Sequence, residues 1–295
     1  MSVVVIGPAV TDVVGIPIPP PEKWQEKQRI ESVRMRVGGD AANQSARLSA
    51  MGHAVSLVTA VGDDAAGRMI LEEMKARGVD TRHTAVHPEC PTAISMILVG
   101  EDGERNIFSS KGAHVLVGRE DCGWIPDAHP AAISLASLFS IPRLEEDGLM
   151  ELLQSAKERG ILTFADLGAD KRRQGLDGIR RFLPHLDYFL PSEADALQMT
   201  GADSPEGAAE IYLSEGAANV VIKCGHRGAF WHTRDASGWV PAGMVHPIDT
   251  TGAGDCMVAH FIDGILRGQG IPAACGAACI AASESTLHIG SMPTI

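Results

Sequence analysis

The chain is short of basic residues and of aromatics. Its 295 residues hold 25 Lys and Arg against 37 Asp and Glu, a formal net charge of −12. A nucleic-acid or anionic-membrane binder needs a basic face to neutralise phosphates, so both are excluded as general partners. No apolar run approaches the ~20 residues of a membrane-spanning helix. The six cysteines, Cys90, Cys122, Cys224, Cys256, Cys275 and Cys279, include no Cys-x-x-Cys pair, so they read as reduced core thiols. Several motifs are also missing: Walker A, Gly-x-Gly-x-x-Gly after the first strand, His-Glu-x-x-His and the Gly-x-Ser-x-Gly elbow. Their absence weakens P-loop, dinucleotide and hydrolase readings, and any phosphate chemistry must use another loop.

What is present is a strand and helix alternation over most of the length. Val3–Ile6 opens as a first strand rather than a leader, which with no spanning segment gives an expectation of a cytoplasmic protein. Apolar runs at 55–61, 131–139, 161–165, 186–190 and 220–223 read as strands, and 144–159 and 208–213 as helices. Residues 229–233 and 238–240 read as a late antiparallel pair. The expected fold is α/β, a doubly wound mostly parallel sheet with helices on both faces. At this length one domain over 1–295 is expected. Two strand-rich excursions, about 12–37 and 92–110, break the rhythm. The first carries Pro17, Pro19, Pro20 and Pro21, and the second turns at Glu101-Asp102-Gly103-Glu104. Together they are expected to form a small β-sheet lid.

Two glycine-rich helix starts stand out, Gly38-Gly39-Asp40-Ala41-Ala42-Asn43 and Asp249-Thr250-Thr251-Gly252-Ala253-Gly254-Asp255. At a helix start the first N–H groups lack intrahelical partners and the dipole is positive, so glycines let an anion approach several donors. Asp255 is placed either to take a proton from a hydroxyl attacking a bound phosphate or simply to favour the helix start. Asp12, just after the first strand, reads equally as a ligand for substrate or as a turn residue.

In this order the two segments resemble the signatures of the ribokinase-like (PfkB) carbohydrate kinases, Gly-Gly-x-x-x-Asn and Asp-Thr-x-Gly-Ala-Gly-Asp, and the resemblance covers nearly the whole chain. It implies an ATP-dependent, Mg²⁺-requiring sugar kinase. Asp255 would be the general base, with Gly252, Ala253 and Gly254 as an anion hole for the γ-phosphoryl. Asp12, Gly38, Gly39 and Asn43 would hold the acceptor, a role that suits a polyol because a carboxylate accepts from vicinal hydroxyls. Asp40 is left between substrate contact and helix cap. Lys223, Gly225, Gly228, Thr250 and Cys279 would line the nucleotide side, Cys279 standing where relatives often have Asn beside the adenine. Asp249 and Thr251 would offer oxygens to a monovalent cation such as K⁺. Where the family commonly has Asn-x-x-Glu, this chain has Ser192-Glu193-Ala194-Asp195, with Asp195 expected to reach Mg²⁺ through water. The lid strands imply a homodimer. Two alternatives stay open, a nucleoside kinase with a base under the lid near Trp24 and a catalytically silent sugar or nucleotide binder. At 4% aromatic residues there are few rings to stack on a base, which counts against the first.

Overall fold

The computed structural model describes residues 1–18, 30–100 and 105–292. Trp24, the prolines after Pro17 and the turn at 101–104 lie outside these. An eight-stranded sheet runs in the order Ala54–Val58, Ser2–Ile6, Ala132–Leu138, Leu162–Leu167, Tyr188–Phe189, Asn219–Lys223, Ala229–Thr233, Ser237–Val240. The first six strands are parallel and the last two antiparallel. The parallel strands are covered on both faces, which is why they read as unbroken apolar runs. One buried layer lies under the helices Asp40–Ala50, Ala253–Leu266 and Ile271–Ser285. The other lies under Leu149–Glu158 and Pro205–Ser214.

The segment 55–61 is two strands rather than one. Ala54–Val58 joins the main sheet, while Ala60–Gly62 turns away to pair with Ala85–His87. Both halves are buried, so composition alone carried no sign of the break at Thr59. The expected helix at 144–159 is divided at Gly148 into Pro142–Asp147 and Leu149–Glu158. The strand expected at 186–190 is reduced to Tyr188–Phe189.

The excursions form a separate four-stranded sheet, ordered Ser32–Gly38, Val10–Ile18, Ile94–Gly100, Arg105–Ser109. Its register sets Asp12 opposite Arg36 and Val14 opposite Arg34, and on the other side Val14 opposite Ile97. Because side chains alternate across a strand, these residues share one face. Among the described residues no helix is long and apolar enough to cross a membrane.

Candidate active site

The loop ahead of the helix Ala253–Leu266 is held by backbone chemistry. Gly252 is the N-cap residue with φ 74°, a left-handed conformation that costs glycine little. A Cβ there would also lie 2.6 Å from the Ser291 Cβ. Asp249 stiffens the approach: its Oδ1 accepts from the Thr251 N–H at 2.9 Å and its Oδ2 from the Gly290 N–H at 2.9 Å. Of the three N–H groups expected to form an anion hole, that of Ala253 donates to the Thr250 carbonyl at 3.3 Å and closes the turn. The Gly252 and Gly254 N–H groups have no hydrogen-bond partner among the described residues. Gly254 faces open space towards Lys223, whose Nζ would be 3.9 Å from an added Cβ.

Asp255 is buried in the first turn of this helix. Its Oδ2 accepts from the Asn43 amide at 2.7 Å, and the Gln44 amide stands 3.5 Å from its Oδ1. Gln44 is oriented in turn by the Ser134 hydroxyl, 2.7 Å from its Oε1. Asn43 and Gln44 lie on the helix begun by Gly39, whose φ of 89° and close approach to the Pro8 carbonyl leave no room for a side chain. The two glycine-rich helix starts therefore meet at one carboxylate. Asn43, expected on an acceptor hydroxyl, gives its N–H to Asp255, and its Oδ1 is buried with no partner among the described residues.

Asp40 does not cap its helix. Gly39 is the N-cap and contributes no side chain, while the Asp40 carboxylate accepts from the Ser137 hydroxyl. Ser137 itself holds φ 70° at the end of its strand, a conformation a non-glycine residue adopts at a cost. Asp166, at the end of the neighbouring strand, forms a buried ion pair with Lys223.

These groups make an acidic cluster set against one lysine. Burial, then the charge of Asp40, pushes Asp255 well above the ordinary carboxylate range, against the opposing Asn43 hydrogen bond. Burial and the charge of Asp166 push Asp40 up to about 6. Asp166 is raised by burial despite Lys223, and burial raises Asp12 to about 6. Carboxyl groups moved towards neutral pH in this way are typical of functional sites.

Two cavities meet at the 249–254 loop. One, of about 380 Å³, is lined by Lys223, Gly225, Gly228, Thr250 and Cys279, all five residues the sequence assigns to the nucleotide side, together with Ala253 and Gly254. The other, of about 440 Å³, lies beneath the small sheet and is lined by Asp12, Arg34, Arg36 and Ile97, with Asp249 and Thr251 from the loop. Gly38 packs directly against the Asp12 carboxylate.

Ser192 and Asp195 have a local role. Ser192 is the N-cap of Glu193–Thr200, accepting from the Asp195 N–H while its hydroxyl bonds the Asp195 carboxylate. Among the described residues no group of three or more His, Cys, Asp or Glu side chains forms a metal cage. Sequence reasoning passed over Gln44, Ser134 and Ser137, and while it marked Asp166 and Lys223 as polar residues at strand ends, it did not foresee that they pair. The available signal was two serines inside the otherwise apolar, wholly buried strand Ala132–Leu138, because buried hydroxyls require partners. The His260 ring is bonded to the Cys256 carbonyl one helical turn back.

A family model described as pfkB family carbohydrate kinase matches residues 1–295. The deoxyribokinase of Salmonella typhi is 24% identical, over 99% of this chain and 94% of its own length. Arabidopsis thaliana ribokinase complexed with ribose and ATP aligns with a TM-score of 0.84 at 22% identity, covering 99% of this chain and 95% of that one. An E. coli protein described as a ribokinase II in complex with ATP and Mg²⁺ gives 0.84 at 22% identity, covering 99% and 94%. At these identities the two structures speak for the fold: an α/β sheet layered by helices with a small extra sheet.

Proposed function

The chain belongs to the pfkB family of carbohydrate kinases, which are phosphotransferases, and from that premise we propose that it phosphorylates a sugar or sugar derivative with Asp255 as general base. The observation that carries this reading is the placement of Asp255 in the first turn of the helix that follows the 249–254 loop, residues of which line both cavities. An acceptor hydroxyl beneath the small sheet is held by Asp12 and by the unpartnered Oδ1 of Asn43. As its oxygen bonds the γ-phosphorus, its proton passes to Asp255 and the bond to the departing ADP oxygen breaks. The Gly252 and Gly254 N–H groups and the helix dipole stabilise the charge on the transferring group. Asn43 and Gln44 hold the base, and Lys223 lies beside the path of the phosphates.

The oxygen donors present suit Mg²⁺, which keeps much of its hydration and needs one or two carboxylates besides phosphate. Asp166 and Asp195 would hold it through water, and bound there it would neutralise charge on the phosphates. Asp249 and Thr251 are the proposed seat for K⁺, since a carboxylate and a hydroxyl are hard oxygen donors on one loop. Six free cysteines and ATP as donor fit a cytoplasmic setting.

The test is ADP release with Mg·ATP across sugars and nucleosides, with K⁺ varied. Sugar-dependent release supports the reading. Release only with nucleosides, or acceptor binding without any release, overturns it in favour of a nucleoside kinase or a silent binder.

The base must be ionised, so turnover should fall as pH drops through the elevated value of Asp255. Asp40→Asn removes the charge that contributes most to raising it after burial. The acid limb of the kcat profile should therefore move to lower pH in that variant, and an unmoved limb would separate Asp255 from the titration that controls turnover.

A homodimer through the small sheet is also proposed. On its face away from the cavity, Met35, Val13, Met96 and Phe108 align across all four strands. Met35 is 54% exposed, Met96 49% and Phe108 59%, an apolar row that a second copy would cover. Sedimentation should give a dimer for the wild type and a monomer for Met35→Glu/Phe108→Glu. A monomeric wild type at working concentration would remove this proposal.

A further inference from the structure

We infer that the acceptor carries an anionic group, a carboxylate or a phosphate, which docks on Arg34 and Arg36 in the cavity beneath the small sheet. The inference rests on the kinase reading above, in which Asp12 holds hydroxyls in the same cavity. Both arginines lie on the cavity face of Ser32–Gly38, two residues apart on adjacent pleats. Neither has an ion pair or side-chain hydrogen bond among the described residues. Most of the other arginines with described side chains are paired with acids, including Arg77, Arg82, Arg119, Arg172, Arg180 and Arg227.

The arrangement of acids in the cavity strengthens the case. Asp12 is the cross-strand neighbour of Arg36, yet burial alone governs its ionisation and no cation offsets it. Arg36 instead reaches over the cavity and lies against Gly290 in the C-terminal loop. Both Asp249 carboxylate oxygens already accept backbone N–H groups. Glu31, the remaining acid on the wall, is exposed at the rim. Two guanidinium groups therefore face the cavity from one strand, and planar forks of this kind bind carboxylate or phosphate through two parallel bonds. Beside them on the same face of the sheet, Val14, Ile16, Ile97 and Val99 form an apolar surface. That surface suits a carbon chain with an unsubstituted or deoxy position, and a ligand that is hydroxylated all round would leave hydroxyls against it.

The experiment compares a neutral sugar, its sugar acid and its sugar phosphate on the full-length chain, in wild type, Arg34→Gln, Arg36→Gln and the double variant. ADP release gives kcat and KM for each, and thermal shift without ATP reads binding separately. The wild type should favour an anionic acceptor over the neutral one by about 10- to 100-fold in kcat/KM, the scale of charge-assisted hydrogen bonds. In the double variant that preference should collapse through KM. Lysine at both positions should restore part of it, because charge is kept while the fork is lost. The sugar acid and sugar phosphate arms tell the two sources of anion apart.

A wild type that turns over the neutral sugar as well as both anionic forms would overturn the inference and leave the kinase reading standing. Equal losses for neutral and anionic acceptors in the double variant would also overturn it. Arginine-dependent thermal stabilisation by an anionic ligand with no ADP release from any acceptor would support the anion pocket while removing the kinase reading.

Discussion

Asp255→Asn should reduce kcat by ~10²–10⁴-fold, the range a positioned general base contributes, while the protein becomes more stable at neutral pH. The two outcomes have one cause. In the fold, Asp255 is buried beside Asp40 and Asp166, and its proton affinity is raised well above the unfolded value. A carboxyl raised in this way contributes stability that is fully present below its unfolded pKa of 3.8 and is lost as pH rises through the folded value. Ionising this carboxyl inside the fold therefore carries a penalty that the asparagine lacks. The amide oxygen of the variant can still accept from Asn43, so the 2.7 Å contact has a replacement. Each kcal/mol of relief raises the melting temperature by about 2–4 °C in a protein approaching this size. The gain should grow as pH rises from the unfolded value of 3.8 towards the elevated folded value, and should shrink as pH is lowered. Calorimetry across this pH range beside a turnover assay checks both halves. Near wild-type turnover in the variant would sink the mechanism, and a stability gain independent of pH would sink the electrostatic account.

Lys223→Met should lower turnover by ~10²–10³-fold, as removal of a charge-stabilising donor does, and should destabilise the fold. Lys223 and Asp166 are both buried, with side chains 11% and 7% exposed. Removing one partner of a buried pair leaves the other charge uncompensated, at a cost of about 3–5 kcal/mol. Here the cost is moderated because Asp166 can take up a proton, so the loss should be smaller at low pH. Lys223→Met/Asp166→Asn removes both charges and should recover much of the stability without recovering turnover. Urea denaturation of the single and double variants, with kcat for each, separates the two effects. Full activity in the stable double variant would show that Lys223 serves the fold alone.

Much of this architecture is legible from local pattern. The parallel sheet follows from apolar runs alternating with helices, because strands covered on both faces must be apolar throughout. The two helix starts are legible because their glycines answer a local demand: Gly39 and Gly252 hold φ of 89° and 74°. The residues expected on the nucleotide side came from the family resemblance and not from local pattern; the structure brings them together along one cavity. Where the reading failed, local composition did not contain the answer. Thr59 separates two mostly buried apolar strands, and the Ala253 N–H is turned onto Thr250 in a loop that Asp249 braces.

By itself, then, the sequence determined the elements, their alternation and the two glycine-rich helix starts, because backbone conformation and burial periodicity depend on near neighbours. Tertiary structure alone decided which groups meet. Asn43 reaches Asp255 across 212 residues, and Lys223 reaches Asp166 across 57, because strand order sets the helix starts and strand ends along one edge. The small sheet's register likewise set Arg34 and Arg36 on the face with Asp12. Charge, burial and proton affinity at these positions arise from groups distant in the chain, and they exist only once the sheet has brought those groups together.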